Sequence, residues 1–370
     1  MTAAGATARP YEISVPFRAG VGGHASYRIP AVVATRAGTL LAFAEGRVDS
    51  AADHGRIELV RKRSTDGGRT WDPLAVVTRN GDGTAGNPAP VVLDSGRVVL
   101  VHVRSAADAT EDRIMRGEVS DADGRRVWVQ HSDDDGVTWS DPREITADAK
   151  KPDWRWYATA PGHAVQLRHG RHAGRIVVPA NHSLPPAGSD TGTEGRYYGG
   201  HGLLSDDGGE TWRIGYVDDN PDGYINANES TAAELPDGRV YVNARSDARA
   251  PGTRADAYSS DGCATLDKPL RPQAGLAGPP VQGSVLHLGQ PDVLLFSGPA
   301  DPRARALMTV RASRDGGVTW RPAHTVDGLP AAYSDLVRAD ADTVGLLYET
   351  GDFSAYSTIT FRRVPVVELA

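Results

Sequence analysis

The sequence predicts an all-β fold, a six-bladed β-propeller of four-stranded antiparallel blades that is closed by the N-terminal strand. The first supporting observation is a repeated motif, S-x-D-x-G-x-T-W, which starts at Ser64, Ser132, Ser205 and Ser313, with a weaker copy at Ser259. The second is that short runs of alternating apolar and polar residues, separated by glycine-containing turns, fill the segments between the motifs. Repetition at this spacing indicates blades arranged around an axis, which protects the edges of the sheets.

Each unit is predicted to contain four strands, A to D, with the motif in the turn between C and D. Strands A, B and C are predicted, unit by unit, at residues 29–35, 39–47 and 57–63; 89–94, 97–104 and 126–131; 163–169, 175–181 and 197–204; 230–236, 239–245 and 255–258; 281–288, 292–298 and 305–312; and 332–339, 343–349 and 356–364. The D strands of the first three units are predicted at 74–79, 143–146 and 213–217.

The sixth unit has no D strand of its own, whereas the run YEISVPF at residues 11–17 is a strand without a unit. We therefore expect the N-terminal strand to complete the last unit and to close the ring. No linker suggests a second domain, so residues 11–370 are predicted to form one domain, preceded by a flexible N-terminus at residues 1–10.

The repeated motif itself is predicted to be structural. Its glycine gives the turn backbone freedom, its aspartate and threonine can bond local backbone groups, and its tryptophan can pack on the blade. Calcium binding by the acidic turns is the alternative interpretation, but none of them has the spacing of an EF-hand loop.

Composition excludes several classes of function. The net charge of −7 disfavours nucleic acid as a partner. The sequence contains no run of about 18 apolar residues, so no membrane span is predicted. Its first residues lack the apolar segment that a signal peptide requires, so no signal peptide is predicted. An exported protein whose leader is missing from this chain and a cytoplasmic protein both remain open. The single cysteine, Cys263, rules out an intrachain disulfide and zinc sites built on cysteine pairs. No cofactor or metal is expected.

The predicted topology places a set of ionisable residues on one face. Strands A and C begin there and strands B end there, whereas the motif turns lie on the opposite face. The residues of this set are Arg28, Asp53, Glu229, Arg245, Arg305, Tyr333 and Glu349. Three converging arginines imply an anionic ligand, because a guanidinium group matches a carboxylate in a bidentate geometry.

The segment YRIP at residues 27–30, followed by four good copies of the motif, the Asp box, resembles the sialidase (neuraminidase) family of bacterial and animal exo-sialidases. The resemblance covers residues 11–365. It implies that Arg28, Arg245 and Arg305 bind the substrate carboxylate, with Arg303 and Arg311 as alternatives for the third arginine. It also implies that Asp53, in preference to Asp49, is the acid/base, that Tyr333 is the nucleophile with Glu229 as its partner, and that Glu349 steadies Arg28.

Further substrate contacts are implied at Arg47, Asn87, Tyr197, Tyr198 and Gln282, for each of which a structural role at a strand end is the alternative. The expected function is retaining hydrolysis of terminal sialic acid from sialylated glycans, glycoproteins or glycolipids. Two alternatives stay open. One is a related enzyme that acts on another keto-acid sugar or transfers the sugar, and the other is a non-catalytic propeller that binds sialoglycans. The sequence does not indicate an oligomeric state.

Overall fold

The computed structural model describes residues 11–220, 222–248 and 252–370. The segment 1–10, which was expected to be flexible, lies outside the described residues. The helices are short: α1 (Glu111–Arg116), α2 (Thr146–Ala149), α3 (Val366–Leu369) and one 3₁₀ turn (Gly170–His172). In the described part of the chain, none of them is long and apolar enough to cross a membrane. The predicted all-β propeller class is confirmed.

Within the part of the chain that the structure describes, twenty-five strands form the body of the molecule. In chain order they are β1 (Ile13–Arg18), β2 (Ser26–Ala34), β3 (Leu40–Arg47), β4 (Ile57–Ser64), β5 (Ala75–Thr78), β6 (Thr84–Val92), β7 (Val98–Ser105), β8 (Arg126–Ser132), β9 (Arg143–Glu144), β10 (Tyr157–Thr159), β11 (Val165–Gln166), β12 (Ile176–Ser183), β13 (Tyr198–Ser205), β14 (Arg213–Asp218), β15 (Ala227–Glu234), β16 (Val240–Ser246), β17 (Thr253–Ser259), β18 (Arg271–Ala277), β19 (Ser284–His287), β20 (Leu294–Pro299), β21 (Met308–Ser313), β22 (Arg321–Thr325), β23 (Ala331–Arg338), β24 (Thr343–Thr350) and β25 (Thr358–Pro365).

Four of the five sheets are single blades. They contain β10 to β14, β15 to β18, β19 to β22, and β23 to β25 together with β1, which pairs antiparallel with β25. Around the centre, β23 lies beside β2, β2 beside β6, β15 beside β19, and β19 beside β23. The gap between β6 and β15 is filled by β10 and β11, which contact β6, with β11 also contacting β15. Apolar side chains fill the layers between successive sheets, for example Val101 and Val178 in one layer and Val177 and Val242 in the next.

The predicted count of six four-stranded blades is wrong. The structure has four blade-sized sheets and one eight-stranded sheet, in which β2 to β9 are joined by a parallel bridge between Ile57 and Thr84. The backbone N–H of Ile57 donates to the carbonyl of Gly83 at 3.3 Å, and the hydroxyl of Thr84 donates to the carbonyl of Gly55 at 3.1 Å. The first two units therefore share one hydrogen-bonded sheet. One of the four blade-sized sheets has five strands, because β10 and β11 both pair with β12.

Each copy of the Asp box begins at the last residue of its strand and forms a compact turn. In the third copy, Ser205 donates to Asp207 at 2.9 Å and accepts from the N–H of Gly209 at 2.9 Å. The backbone and side chain of Thr211 both donate to Asp207, at 2.9 and 2.6 Å. Trp212 is buried and donates to the carbonyl of Gly209 at 2.9 Å. The box thus satisfies its own polar groups while its indole packs into the layer between blades.

A fully buried carboxylate ties the inner strands together near the axis. Asp335 in β23 accepts from the N–H of Val32 in β2 at 2.8 Å and from the hydroxyl of Ser284 in β19 at 2.7 Å. It also accepts from the backbone N–H of His163 at 3.0 Å and lies 2.7 Å from Nδ1 of that ring. The Asp335 side chain therefore links its own sheet to β2, to β19 and to the loop before β11.

Candidate active site

A polar cavity of about 220 Å³ opens on the face opposite the Asp-box turns. Nine of the twelve residues predicted for the site line it: Arg28, Arg47, Asp53, Asn87, Tyr198, Glu229, Arg245, Arg305 and Tyr333. They come from four of the five sheets and from the loops between strands. The fold therefore brings side chains that are far apart in the sequence, from Arg28 to Tyr333, together in one cavity.

Irregularities in four inner strands aim side chains into this cavity. The pairing register shifts between Arg28 and Ala31 in β2, and between Gly86 and Ala89 in β6. The same shift occurs in β15 over 227–230 and in β23 over 331–334. Such bulges leave residues unpaired and turn their side chains out of the regular alternation. Glu229 and Tyr333 occupy the equivalent, second unpaired position of their bulges.

Tyr333, Glu229 and Arg245 form a buried hydrogen-bonded group. The hydroxyl of Tyr333 donates to Oε1 of Glu229, and Nη1 of Arg245 donates to Oε2 of the same carboxylate at 2.9 Å. Tyr333 is 6% and Glu229 7% exposed. Burial, followed by the charge of Glu229, raises the pKa of Tyr333 well above its ordinary value, although Arg245 and Arg28 act against this. The phenol is therefore held in its neutral form beside a charged carboxylate.

Glu349 holds Arg28 and the backbone of the tyrosine together. Its Oε1 accepts from Nε of Arg28 at 2.7 Å and from the N–H of Ile29 at 2.9 Å, while Oε2 accepts from the N–H of Tyr333 at 3.1 Å. Burial disfavours the charged form of Arg28, but the adjacent Glu349 carboxylate raises the pKa of Arg28 above its usual value. Glu349 is fully buried, so it does not line the cavity itself but fixes two residues that do.

Asp53 stands at the mouth of the cavity, with its side chain 79% exposed. Its Oδ1 lies 2.6 Å from Nη1 of Arg47 and 3.9 Å from Nη1 of Arg28. Arg47 is held in turn by Glu45, which accepts from Nη2 at 2.8 Å. Partial desolvation opposes ionisation of Asp53, but the two arginines lower its pKa below the ordinary value. The carboxylate is thus within reach of solvent and of the cavity.

Arg305 reaches the cavity from the fifth unit. Its Nη1 donates to the hydroxyl of Tyr356 at 3.0 Å, and its Nη2 donates to the carbonyl of Pro280 at 3.2 Å. The guanidinium carbons of Arg28 and Arg305 lie 5.1 and 5.8 Å from the centre of the Tyr333 ring. Nη1 of Arg245 lies 3.5 Å from the Tyr333 hydroxyl, so three guanidinium groups lie near this side chain.

The remaining predictions lie outside the cavity lining. Tyr197 faces a surface loop, where its hydroxyl donates to Asp190 at 2.5 Å. Gln282 is buried in the body of the propeller, where it accepts from the N–H of Ser334 at 3.0 Å and donates to the carbonyl of Pro161 at 3.0 Å. Among the alternatives left open by the sequence, none of the three side chains of Asp49, Arg303 and Arg311 belongs to the lining.

Several lining residues were missed, among them Glu45, Glu111, Arg125, Trp156, Asn228 and Asp247. Arg125 is buried, with its guanidinium carbon 4.2 Å from the centre of the Trp156 ring and its Nη1 donating to Asn87 at 3.2 Å. Tyr198, which was predicted together with Tyr197, lines the cavity, and its hydroxyl donates to Glu111 at the start of α1. Asp247 accepts from Nε of Arg245 at 2.6 Å. Most of these residues sit in inter-strand loops without a motif, so only the fold brings them together.

This arrangement can bind a carboxylate and transfer protons beside it. Arg28 and Arg245 each have an Nη2 without a hydrogen-bond partner among the described residues. A phenol with an adjacent carboxylate is the pairing that activates a nucleophile. Within residues 11–220, 222–248 and 252–370, no cluster of three His, Cys, Asp or Glu side chains is arranged to hold a metal ion.

Known proteins that are similar to the chain include several named as sialidases. A family model described as a BNR repeat-like domain matches residues 38–348. The chain is 33% identical to a sialidase of Micromonospora viridifaciens over 90% of its own length and 51% of that protein, so it spans about half of this relative. It is 31% identical to the exo-alpha-sialidase of Aspergillus fumigatus, over 93% of the chain and 84% of that protein.

Among solved structures, the Hadza microbial sialidase Hz136 superposes with a TM-score of 0.80 at 27% identity, covering 95% of this chain and 68% of the other. The matched family model spans most of the sequence and includes the lining residues from Glu45 to Tyr333, whereas Arg28 and Ile29 precede it. The protein belongs to the sialidase family, with a BNR repeat-like propeller domain.

Proposed function

We propose that the protein is an exo-α-sialidase, which hydrolyses terminal sialic acid from glycoconjugates by a double displacement that retains the anomeric configuration. The observation that carries this proposal is the buried hydrogen bond between Tyr333 and Glu229, enclosed by three arginines. A site for a carboxylate next to an activatable phenol suits a sugar that carries its carboxylate on the anomeric carbon.

Substrate binding is assigned to Arg28, Arg245 and Arg305. A guanidinium group offers parallel donors to a carboxylate and remains charged at any physiological pH. Two of the arginines are already oriented by acids, Arg28 by the buried Glu349 at 2.7 Å and Arg245 by the partly buried Asp247 at 2.6 Å. Their positions are therefore set before the substrate arrives, which limits the entropy lost on binding.

A neutral nucleophile fits the charge of the substrate. A carboxylate attacking the anomeric carbon would be repelled by the carboxylate attached to that carbon, whereas a phenol would not. Tyrosine is a weak nucleophile at its reference pKa of about 10, so it needs a base. In the first step the Tyr333 oxygen bonds to the anomeric carbon, its proton passes to Glu229, and the bond from that carbon to the leaving oxygen breaks. Tyrosine nucleophiles are a recognised exception to the two-carboxylate scheme of glycosidases.

Asp53 is assigned the role of general acid and base. In the first step it gives its proton to the leaving oxygen. In the second step it takes a proton from the water that attacks the anomeric carbon, while the Tyr333 oxygen leaves and recovers its proton from Glu229. Its place at the mouth supports this role, because both the leaving group and the incoming water must pass there.

The test is the release of free sialic acid from a sialyllactose and from a fluorogenic α-sialoside, repeated with the corresponding 2-keto-3-deoxynonulosonic acid substrate. We expect hydrolysis of the sialosides with free sialic acid as the product. Cleavage without free sialic acid, or with the sugar transferred to added lactose in preference to water, would contradict hydrolysis and favour transfer. Binding without cleavage of any substrate would favour the non-catalytic propeller.

A further inference from the structure

An exposed aromatic side chain in a loop beside the cavity has no role in the chemistry described above. Phe353 is 99% exposed, more than any other large apolar side chain among the described residues. It lies in the segment 351–357 between β24 and β25, which we call the rim loop. A ligand that covers an exposed phenyl ring removes its apolar surface from water, which is favourable for binding.

The rim loop is fixed to the cavity rather than projecting freely from the sheet. Ala355 is 6% exposed and packs in one cluster with Ile29 and Tyr333. The carbonyl of Ser357 accepts from the N–H of Ala19 at 3.0 Å, and the hydroxyl of Ser354 accepts from the N–H of Tyr356 at 3.2 Å. These contacts anchor the C-terminal half of the loop, and β24 ends at Thr350 on the other side, so Phe353 lies in a short segment between two fixed points.

The same loop borders the side of the cavity where the leaving group departs. The guanidinium carbon of Arg28 lies 4.1 Å from the centre of the Tyr356 ring, and Nη1 of Arg28 lies 3.9 Å from Asp53. Asp53 and the rim loop therefore flank one guanidinium group. Because Asp53 is the group that protonates the leaving oxygen in the proposed mechanism, the atoms beyond that oxygen emerge beside the rim loop.

We propose that Phe353 is an aglycone-binding residue, which stacks against the apolar face of the first neutral sugar of the leaving group. An aromatic face accepts the C–H edges of a pyranose ring, whose polar hydroxyls then stay in water. Phenylalanine has no hydrogen-bonding group, so it discriminates by shape and apolar area rather than by hydroxyl pattern. This inference rests on the proposed sialidase function and deepens it by naming what the enzyme recognises beyond sialic acid.

The experiment compares two substrates that share the sialic acid and differ in the leaving group, sialyllactose and methyl α-sialoside. For Phe353→Ala we expect the ratio of kcat/KM for sialyllactose to that for methyl sialoside to fall about three- to tenfold, the range that a stacked aromatic contact supplies. Phe353→Trp, which keeps an aromatic ring, should retain the ratio of the unsubstituted protein. Val318→Ala is the matched control, because Val318 is also exposed, at 64%, but lies in an Asp-box turn on the opposite face.

An unchanged ratio in Phe353→Ala, or equal losses on both substrates, would overturn the aglycone assignment while leaving the sialidase activity of the unsubstituted protein in place. If the unsubstituted protein cleaves neither substrate, the proposed function fails and the aglycone assignment fails with it. The melting temperature of each variant shows that the loop change has not altered folding, which the full exposure of Phe353 leads us to expect.

Discussion

The hydroxyl of Tyr333 donates a hydrogen bond to Glu229, a residue 104 positions earlier in the chain. Both residues occupy the second unpaired position of a bulge, one in β23 and the other in β15. The propeller thus uses the same local distortion in two inner strands to bring a phenol and a carboxylate together. Since a bulge is set by its own strand pairing, the contact is built into the fold before any substrate binds.

Replacing Tyr333 with phenylalanine removes the nucleophilic oxygen and keeps the ring. We expect kcat for a sialoside to fall about a thousandfold or more, since the variant loses both the covalent step and the proton transfer to Glu229. Affinity for free sialic acid, measured by calorimetry, should change little because the arginines remain. Tyr356→Phe is the control, as it removes a phenol that contacts Arg305 rather than Glu229. Near-normal turnover in Tyr333→Phe would exclude the tyrosine as nucleophile.

The pH dependence of catalysis should show the titration of Asp53, the proposed general acid. A general acid must carry its proton, and in the empty site Arg47 and Arg28, acting against partial desolvation, lower the pKa of Asp53. The kcat/KM for sialyllactose, which reports the free enzyme, should therefore fall as pH rises from the acidic range. Bound sialic acid adds a negative charge beside Arg28 and raises the pKa of Asp53, so the corresponding limb of kcat should lie at higher pH.

Two results would bear against Asp53 as the acid. One is a basic limb of kcat that lies at or below that of kcat/KM. The other concerns Arg47→Gln, which removes the cation 2.6 Å from Asp53 and should shift the kcat/KM limb upward. A limb that does not move in this variant would assign the titration to another group.

The axial carboxylate of Asp335 should be a large contributor to stability. It is fully buried and accepts hydrogen bonds from Val32, His163 and Ser284. Asp335→Ala would leave these donors buried without a partner, and we expect the free energy of unfolding to fall by about 3 to 5 kcal/mol. Urea denaturation measures this, with Asp340→Ala, an exposed aspartate after the same strand, as the control. If the free energy of unfolding falls no more in Asp335→Ala than in the control, the Asp335 carboxylate is not a large contributor to stability.

Acid stability should depend on the Asp boxes. In the second box, hydrogen bonds from the side chain and backbone of Thr138 lower the pKa of Asp134 to about 2, against partial desolvation. A folded-state pKa below the unfolded value of about 3.9 contributes stability that is present at neutral pH and is lost as pH falls through the folded pKa. Asp134→Ala should therefore be less stable than the parent at pH 6, with the difference shrinking toward pH 2. A difference independent of pH would contradict this origin.

Much of the site could be predicted because its residues lie at strand ends that carry recognisable segments. Arg28 in YRIP, Tyr333 near the start of a buried strand and Arg245 near the end of another could be assigned to one face from topology alone. Arg125 and Trp156 could not, because they lie in loops whose path is set by packing. The choice between Tyr197 and Tyr198 depends on which residue starts β13, and a shift of one residue reverses the face of a strand.

The number of sheets shows a different limit. Alternating patterns define strands but do not report a single bridge between neighbouring units, and the pairing of Ile57 with Thr84 joins two units into one sheet. Gln282 illustrates the same point for side chains. It lies near the tyrosine in the fold, yet it serves the backbone of Ser334 and Pro161, and no sequence pattern separates that use from contact with a ligand.

The anomeric configuration of the first product tests the central claim most directly. Proton NMR recorded during early hydrolysis of an α-sialoside shows which anomer of sialic acid is released, before mutarotation equilibrates the two. Attack by Tyr333 followed by attack of water inverts the anomeric carbon twice, so the account predicts the α-anomer as the first product. Release of the β-anomer would mean a single displacement by water and would contradict a covalent intermediate on Tyr333.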